Sequence, residues 1–238
     1  MQRIALWDLP TRAFHWLLAA SVTGALVTGY VGGNWIEWHA RLGETIVGLI
    51  VFRIVWGFVG APSARFATFV RGPRAIAAYV RGQWQGTGHN PLGALAVLAL
   101  LALTLAQAGT GLFTTDDIAF QGPWAALVGD GGAHRAATLH GLGQKLLIGV
   151  VVLHLTAIVF YAVVKRRNLV RPMVTGWQAV DPQTEAPAWP VRSPRARAVA
   201  FAVAVLIAAL GLYVAAGGWS AAPAKASAPA VTTNAPAW

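Results

Sequence analysis

The 238-residue chain is 56% hydrophobic and only 11% charged, too little polar surface to cover a soluble globule of this size, so a polytopic membrane protein is expected instead. Its net charge of +10 is not spread along a soluble face but gathers at the ends of apolar runs, which excludes a nucleic-acid binder. With no cysteine, thiolate-held iron–sulfur clusters, covalent c-type haem and disulfides are excluded too, and any metal must be held by His, Met, carboxylate or backbone.

The first residues are interrupted by Asp8, Pro10 and Arg12, and the apolar run after them is too long for a signal-peptide core, so the first helix is expected to stay as an anchor. Five runs, near 13–33, 40–60, 92–113, 137–164 and 198–216, are long enough to cross a hydrocarbon core of about 30 Å, which takes roughly 20 helical residues. None shows the period-two alternation of a barrel strand, and the expected fold class is all-α. Between the second and third runs, Gly60 to Pro91 is basic and Gly/Pro-punctuated. Phe66, Phe69, Ile76, Tyr79, Val80 and Trp84 recur there at near-helical spacing, which reads as an interfacial helix or as an ordered loop held by aromatics.

Thr114 to Arg135 forms an outer loop rich in Gly and Asp, whose Phe120 and Trp124 are placed to fold back over the membrane face and cap a cofactor or dock a partner. Asn168 to Ser193 turns Pro-rich and marks a linker. The fifth run has no charged residue and no histidine between Val199 and Ala216 and so offers packing or anchoring but no ligand. Ala221 to Trp238, an Ala/Pro/Ser/Thr stretch with Lys225, reads as a disordered external tail. The cations sit at Arg3 and Arg12, at Arg65, Arg71, Arg74 and Arg81, and at Lys165, Arg166, Arg167, Arg171, Arg192, Arg195 and Arg197. The other connections carry Glu37, Asp116, Asp117 and Asp130. By the positive-inside rule the N-terminus is cytoplasmic and, after five spans, the C-terminus is periplasmic, in a bacterial inner membrane.

Histidines carry the chemistry. Ionisable residues within membrane helices are costly and usually serve function. His140 and His154 lie fourteen residues apart in one apolar run, close to four turns, so both leave one helix face about 21 Å apart. His15 near the cytoplasmic start of the first helix and His39 at the external start of the second match them in depth, giving the pairs His39 with His140 and His15 with His154. The second pair agrees in depth only if the first helix starts early or tilts. A packing histidine is the alternative at any single position, and four matched in pairs argue against it. Two neutral imidazoles suffice for a six-coordinate b-type haem, which favours one-electron transfer, and four-helix bundles carry cofactors on facing helices.

His89, within Gly88-His89-Asn90-Pro91, belongs to a helix-start signal and reads as a capping or interface residue, and His134 as a solvated loop residue. Gly43 and Gly48 after His39, and Gly141, Gly143 and Gly149 after His140, would leave room for a haem edge or for close helix packing. Arg53, a cation within the second helix, is expected to snorkel or to pair with a haem propionate.

The set Trp7-Asp8, Arg12-Ala13-Phe14-His15-Trp16, Trp38-His39 with Gly43, Phe52-Arg53, Trp56-Gly57, Gly88-His89-Asn90-Pro91-Leu92-Gly93, His140 and His154 resembles the prokaryotic cytochrome b561 family. It is most similar to the branch holding the b-type cytochrome subunit of nickel–iron hydrogenases and related dihaem cytochromes. The resemblance covers about residues 3–175. It implies a four-helix core with two haem b groups ligated by His15, His39, His140 and His154, passing electrons between a quinone pool and a redox partner. That partner would be hydrogenase-like or a soluble cytochrome c-like protein, and the role would be a step of a respiratory chain. The added fifth helix and tail depart from the family pattern and suit tethering of an external carrier.

The expected organisation is a dihaem domain over 1–175, a cytoplasmic linker over 176–196, a fifth span over 197–217 and a tail over 218–238. Expected cofactors are two haems b with a quinone as donor or acceptor, and a homodimer is left open. The quinone face is also open, with arginines and aromatics on the cytoplasmic side and Trp35, Trp38 and Trp124 on the external side. Two other activities compete. A self-sufficient superoxide:quinone oxidoreductase would need a cationic external approach, where only Arg135 interrupts the acidic loops. A histidine-dependent proton or metal transporter would need embedded carboxylates, of which Glu44 is the clear candidate.

Overall fold

Backbone in hydrocarbon must satisfy its own hydrogen bonds, and all five apolar runs do so as helices. The structure, a computed structural model, describes residues 2–84, 90–116, 120–180 and 193–219. His89, Asp117, most of the expected linker and the expected tail from residue 220 on lie outside the described residues.

In chain order the elements are strand β1 (Gln2–Ala5), α1 (Leu9–Val31), α2 (Ile36–Val59), the short helices α3 (Phe66–Phe69) and α4 (Pro73–Val80), α5 (Pro91–Leu112), α6 (Gly129–Val163), α7 (Val170–Thr175), strand β2 (Trp177–Val180) and α8 (Pro194–Ala215). Helices α1, α2, α5, α6 and α8 are long and apolar enough to cross a membrane. Prolines start several of them. Pro10, Pro91 and Pro194 occupy first turns, where a missing N–H costs nothing. Asn90 and Ser193 cap α5 and α8 by accepting from the amides of Gly93 at 2.7 Å and Ala196 at 3.2 Å. Helix α1 stops at Gly32, whose φ of +67° suits glycine.

Three features differ from the sequence expectation. The interfacial segment is two short helices rather than one, because Pro73 cannot continue a helix from α3 and instead opens α4. Helix α6 runs 35 residues, about 52 Å at 1.5 Å per residue, so it extends well into the segment expected as a loop and takes in His134. The first residues of the expected linker form β2, which pairs antiparallel with β1, Arg3 opposite Ala179 and Ala5 opposite Trp177.

Helix α2 is central, packed against α1, α5 and α8, while α6 lies along α5. The core at one end joins Phe14, Phe52, Trp56, Ala64 and Ala204, and nearer the other end Ala25, Ile46, Ile50 and Ala108. Helix α8 sits close on α2 because glycines meet side chains across the seam. A Cβ at Gly48 would stand 3.1 Å from the Cβ of Leu212, and one at Gly211 would stand 3.0 Å from Val51. Leu139, Leu142, Leu146, Val152 and Leu153 of α6 remain exposed, as side chains turned to lipid do.

The loop after α5 turns back at Gly122 and Trp124. The Trp124 amide donates to the Leu112 carbonyl at 2.8 Å and its indole to the Val214 carbonyl at 3.1 Å. Its ring also meets Phe113 and Trp219. Trp124 therefore ties the loop to the ends of α5 and α8. On the opposite face the Tyr79 and Tyr161 hydroxyls are hydrogen-bonded, and the Asn90 amide donates to Tyr161 at 2.9 Å, joining α4, α5 and α6.

Candidate functional site

Polar side chains along apolar helices mark the interior. His39 lies in the first turn of α2 and His140 about a third of the way along α6, and the fold brings them face to face, ring centroids 5.9 Å apart and planes crossing at 87°. They border a cavity of about 230 Å³ built from four helices. Its walls are Ala25 and Gly29 of α1, Gly43 and Ile46 of α2, Thr104 and Gln107 of α5, and Gln144 and Leu147 of α6.

The two imidazoles are held by the same device. The His39 Nδ1–H donates to the Ala25 carbonyl at 2.7 Å, and the ring lies on Gly29, four residues further along α1. The His140 Nδ1–H donates to the Gln107 carbonyl at 2.9 Å, and the ring lies on Gly111, four residues further along α5. A carbonyl only accepts, so each hydrogen sits on Nδ1 and each Nε2 keeps its lone pair. That is the tautomer a metal-binding histidine needs, with the second nitrogen fixed by a backbone acceptor.

Glycine is required at both neighbours. A Cβ at Gly29 would stand 2.8 Å from His39 Nδ1, and one at Gly111 would stand 3.0 Å from His140 Cε1. Gly43 plays another part. A Cβ there would meet nothing within 4 Å, so the space above it is cavity. Gly48 packs on α8 rather than on the cavity, Gly143 makes room for Gln107, and Gly141 and Gly149 face open space.

His15 and His154 are half-buried, on α1 and α6, and within electrostatic reach of each other. Helix α1 begins at Leu9, six residues before His15 and earlier than the start near residue 13 that the apolar run gave. The His15 Nδ1 is buried with no hydrogen-bond partner. Because α6 is one unbroken helix from Gly129 to Val163, the two histidine levels are separated by about 21 Å along its axis.

Arg53 neither snorkels nor reaches the His39–His140 cavity. It is 3% exposed, its guanidinium lies 4.8 Å from the Phe66 ring centroid and 5.9 Å from that of Phe69, and its Nη1 has no hydrogen-bond partner. Asp8 lies within electrostatic reach of it and accepts from the Trp56 indole at 2.8 Å. Arg12 donates to the Val174 carbonyl and Trp16 to that of Met173, so the start of α1 also clamps α7.

The family model for prokaryotic cytochrome b561 matches residues 6–176. The chain belongs to the prokaryotic cytochrome b561 family. It is thus a multi-pass membrane cytochrome of b type, a class that carries electrons. Among curated relatives it is similar to the probable Ni/Fe-hydrogenase B-type cytochrome subunit of Azotobacter chroococcum mcd 1, 26% identical over 213 residues, covering 74% of this chain and 88% of the relative. The proteins of the same name from Azotobacter vinelandii, 26% identical with the same coverage, and Rhizobium leguminosarum bv. viciae, 24% identical over 211 residues, are similar as well. No solved structure matches this cytochrome.

Haem b is the cofactor the family implies, and the His39–His140 site fits it. Two facing imidazoles with ring centroids 5.9 Å apart would hold its iron. Both rings present Nε2, the surrounding wall is mostly apolar, and Gly43 leaves space where a macrocycle edge would lie. Sequence reasoning missed Gly29, Gly111 and Gln107. Gln107 carried a signal, as a polar residue inside an apolar helix; the glycines carried none, because they act on histidines of other helices.

Proposed function

We propose that this chain is a dihaem b-type cytochrome that transfers electrons between the quinone pool and a redox partner, either hydrogenase-like or cytochrome c-like. The observation that carries the reading is the facing pair His39 and His140, each with Nδ1 tied to a backbone carbonyl of the neighbouring helix. In it, His39 and His140 hold the outer haem and His15 and His154 the inner one. Haem iron supplies a one-electron ferric–ferrous couple, and bis-histidine ligation leaves no position open to oxygen. The buried Arg53 supports the inner site, since its unpartnered Nη1 can meet an anionic edge of the cofactor. Gly43 leaves room for the ring, and the apolar walls keep water out.

The cation-rich connections support a cytoplasmic N-terminus in a bacterial inner membrane, within a respiratory chain. The relatives named as hydrogenase cytochrome subunits support a hydrogenase-like partner.

The test is haem per polypeptide on the purified full-length protein, by pyridine haemochrome and reduced-minus-oxidised spectra. Two low-spin haems b are expected. His39→Ala or His140→Ala should each remove one haem, and the pair together no more than that one. His15→Ala and His154→Ala should behave likewise for the other. A cross-pair that acts as one site, or a haem-free protein after growth with ample haem, refutes the reading.

A further inference from the structure

The two halves of the outer site differ in the residue whose carbonyl holds the imidazole. His39 hangs from the carbonyl of Ala25, which has no polar side chain, whereas His140 hangs from the carbonyl of Gln107, which has a full amide. That amide is engaged with the same histidine. Its Nε2 donates to the His140 backbone carbonyl at 3.0 Å, so Gln107 holds His140 at the ring and at the main chain together. The other end of the amide is unshared. Gln107 Oε1 is buried, has no hydrogen-bond partner, and belongs to a side chain on the cavity wall. Gly143 makes this arrangement fit, because a Cβ there would stand only 2.3 Å from Oε1.

We infer that Gln107 is a positioning residue that lowers the reduction potential of the outer haem relative to the inner one. The inference rests on the reading of His39 and His140 as ligands of one haem. Two effects act in the same direction. Holding the α5 and α6 backbones together at His140 keeps the Nδ1–H on its carbonyl, and a histidine donating from Nδ1 is a more basic ligand, which favours the ferric state. The unshared Oε1 sets the negative end of an amide dipole in low-dielectric packing beside Gly143, three residues along α6 from His140, and an oxidised iron carries one more positive charge than a reduced one. Leaving a buried carbonyl unsatisfied is destabilising. Such a cost is tolerated where the dipole has a task.

The experiment is a spectroelectrochemical titration of the full-length, detergent-purified cytochrome, with haem content measured first. A wild type without two haems b overturns the ligand reading, and this inference with it, before any variant is titrated. Given two haems, Gln107→Leu removes the amide, and Gly143→Ala displaces it while leaving Gln107 in place. Both variants are expected to keep two haems and to raise one midpoint potential, the same one in each, with the other unmoved. Midpoints that stay put, that move downward, or that move together in both variants overturn the inference. So does loss of a haem in Gln107→Leu beside an unmoved midpoint in Gly143→Ala, since that marks a purely structural role.

Discussion

Gly29→Ala is a one-methyl change with a sharp expected consequence. The new Cβ would stand 2.8 Å from His39 Nδ1 and 3.0 Å from Cε1, where ordinary contact begins at 3.4 Å. The imidazole must therefore retreat by 3.4 − 2.8 = 0.6 Å, away from α1. The same movement pulls Nδ1 from the Ala25 carbonyl, now 2.7 Å away. Overpacking of this size costs about 1–3 kcal/mol, which at 1.4 kcal/mol per tenfold is roughly a 5- to 150-fold weaker hold on the cofactor. The assay is the rate of haem transfer from detergent-solubilised protein to an excess of apomyoglobin, with Gly109→Ala as the matched control. Gly109 lies in α5 where a Cβ meets nothing within 4 Å. One haem should leave faster in Gly29→Ala, and Gly111→Ala, which crowds His140, should release the same one. A folded Gly29→Ala protein that releases both haems at the control's rate would falsify the argument that the histidine is seated on this glycine.

Three further outcomes are expected. Truncation after residue 193 removes α8 and uncovers its seam on α2; haem content should stay as in the full chain, because α8 contains no histidine, while the thermal unfolding midpoint falls. Trp56→Phe deletes the 2.8 Å indole donation to Asp8, whose other carboxylate oxygen already lacks a partner. The cost should be about 1–3 kcal/mol, read by thermal unfolding, and a double-mutant cycle with Asp8→Ala should be strongly non-additive. Tyr79 is pushed up to about 12, by desolvation first and by its hydrogen bond to Tyr161 second. Its folded pKa lies above the unfolded one near 10, so its contribution is intact below pH 10 and lost as pH rises through 12. Tyr79→Phe should flatten that alkaline loss of stability, and an unchanged profile would count against it.

Two groups stand apart among the described motif residues that carried the resemblance. His15, His39, His140 and His154 stand at two levels of the bundle, as their spacing along straight helices requires. Trp7-Asp8, Arg12, Trp16 and Trp56 instead lock the end of the molecule where α1 begins: Asp8 to the Trp56 indole, Arg12 and Trp16 to the carbonyls of α7. Sequence pattern does not separate a ligand from such a lock, because both are polar or aromatic residues at helix ends.

Apolar run length and helical rise set the five spans, and the fourteen-residue interval sets the separation of the two histidine levels, since both depend only on local geometry along one chain. Which helix faces which is decided by packing. That α8 lies on α2 follows from Gly48 and Gly211 meeting Leu212 and Val51, contacts between residues more than 150 positions apart. The same is true of Gly29 under His39 and Gln107 behind His140. Each acts through a neighbouring helix, and a glycine or an amide shows that role only when the partner helix is in place.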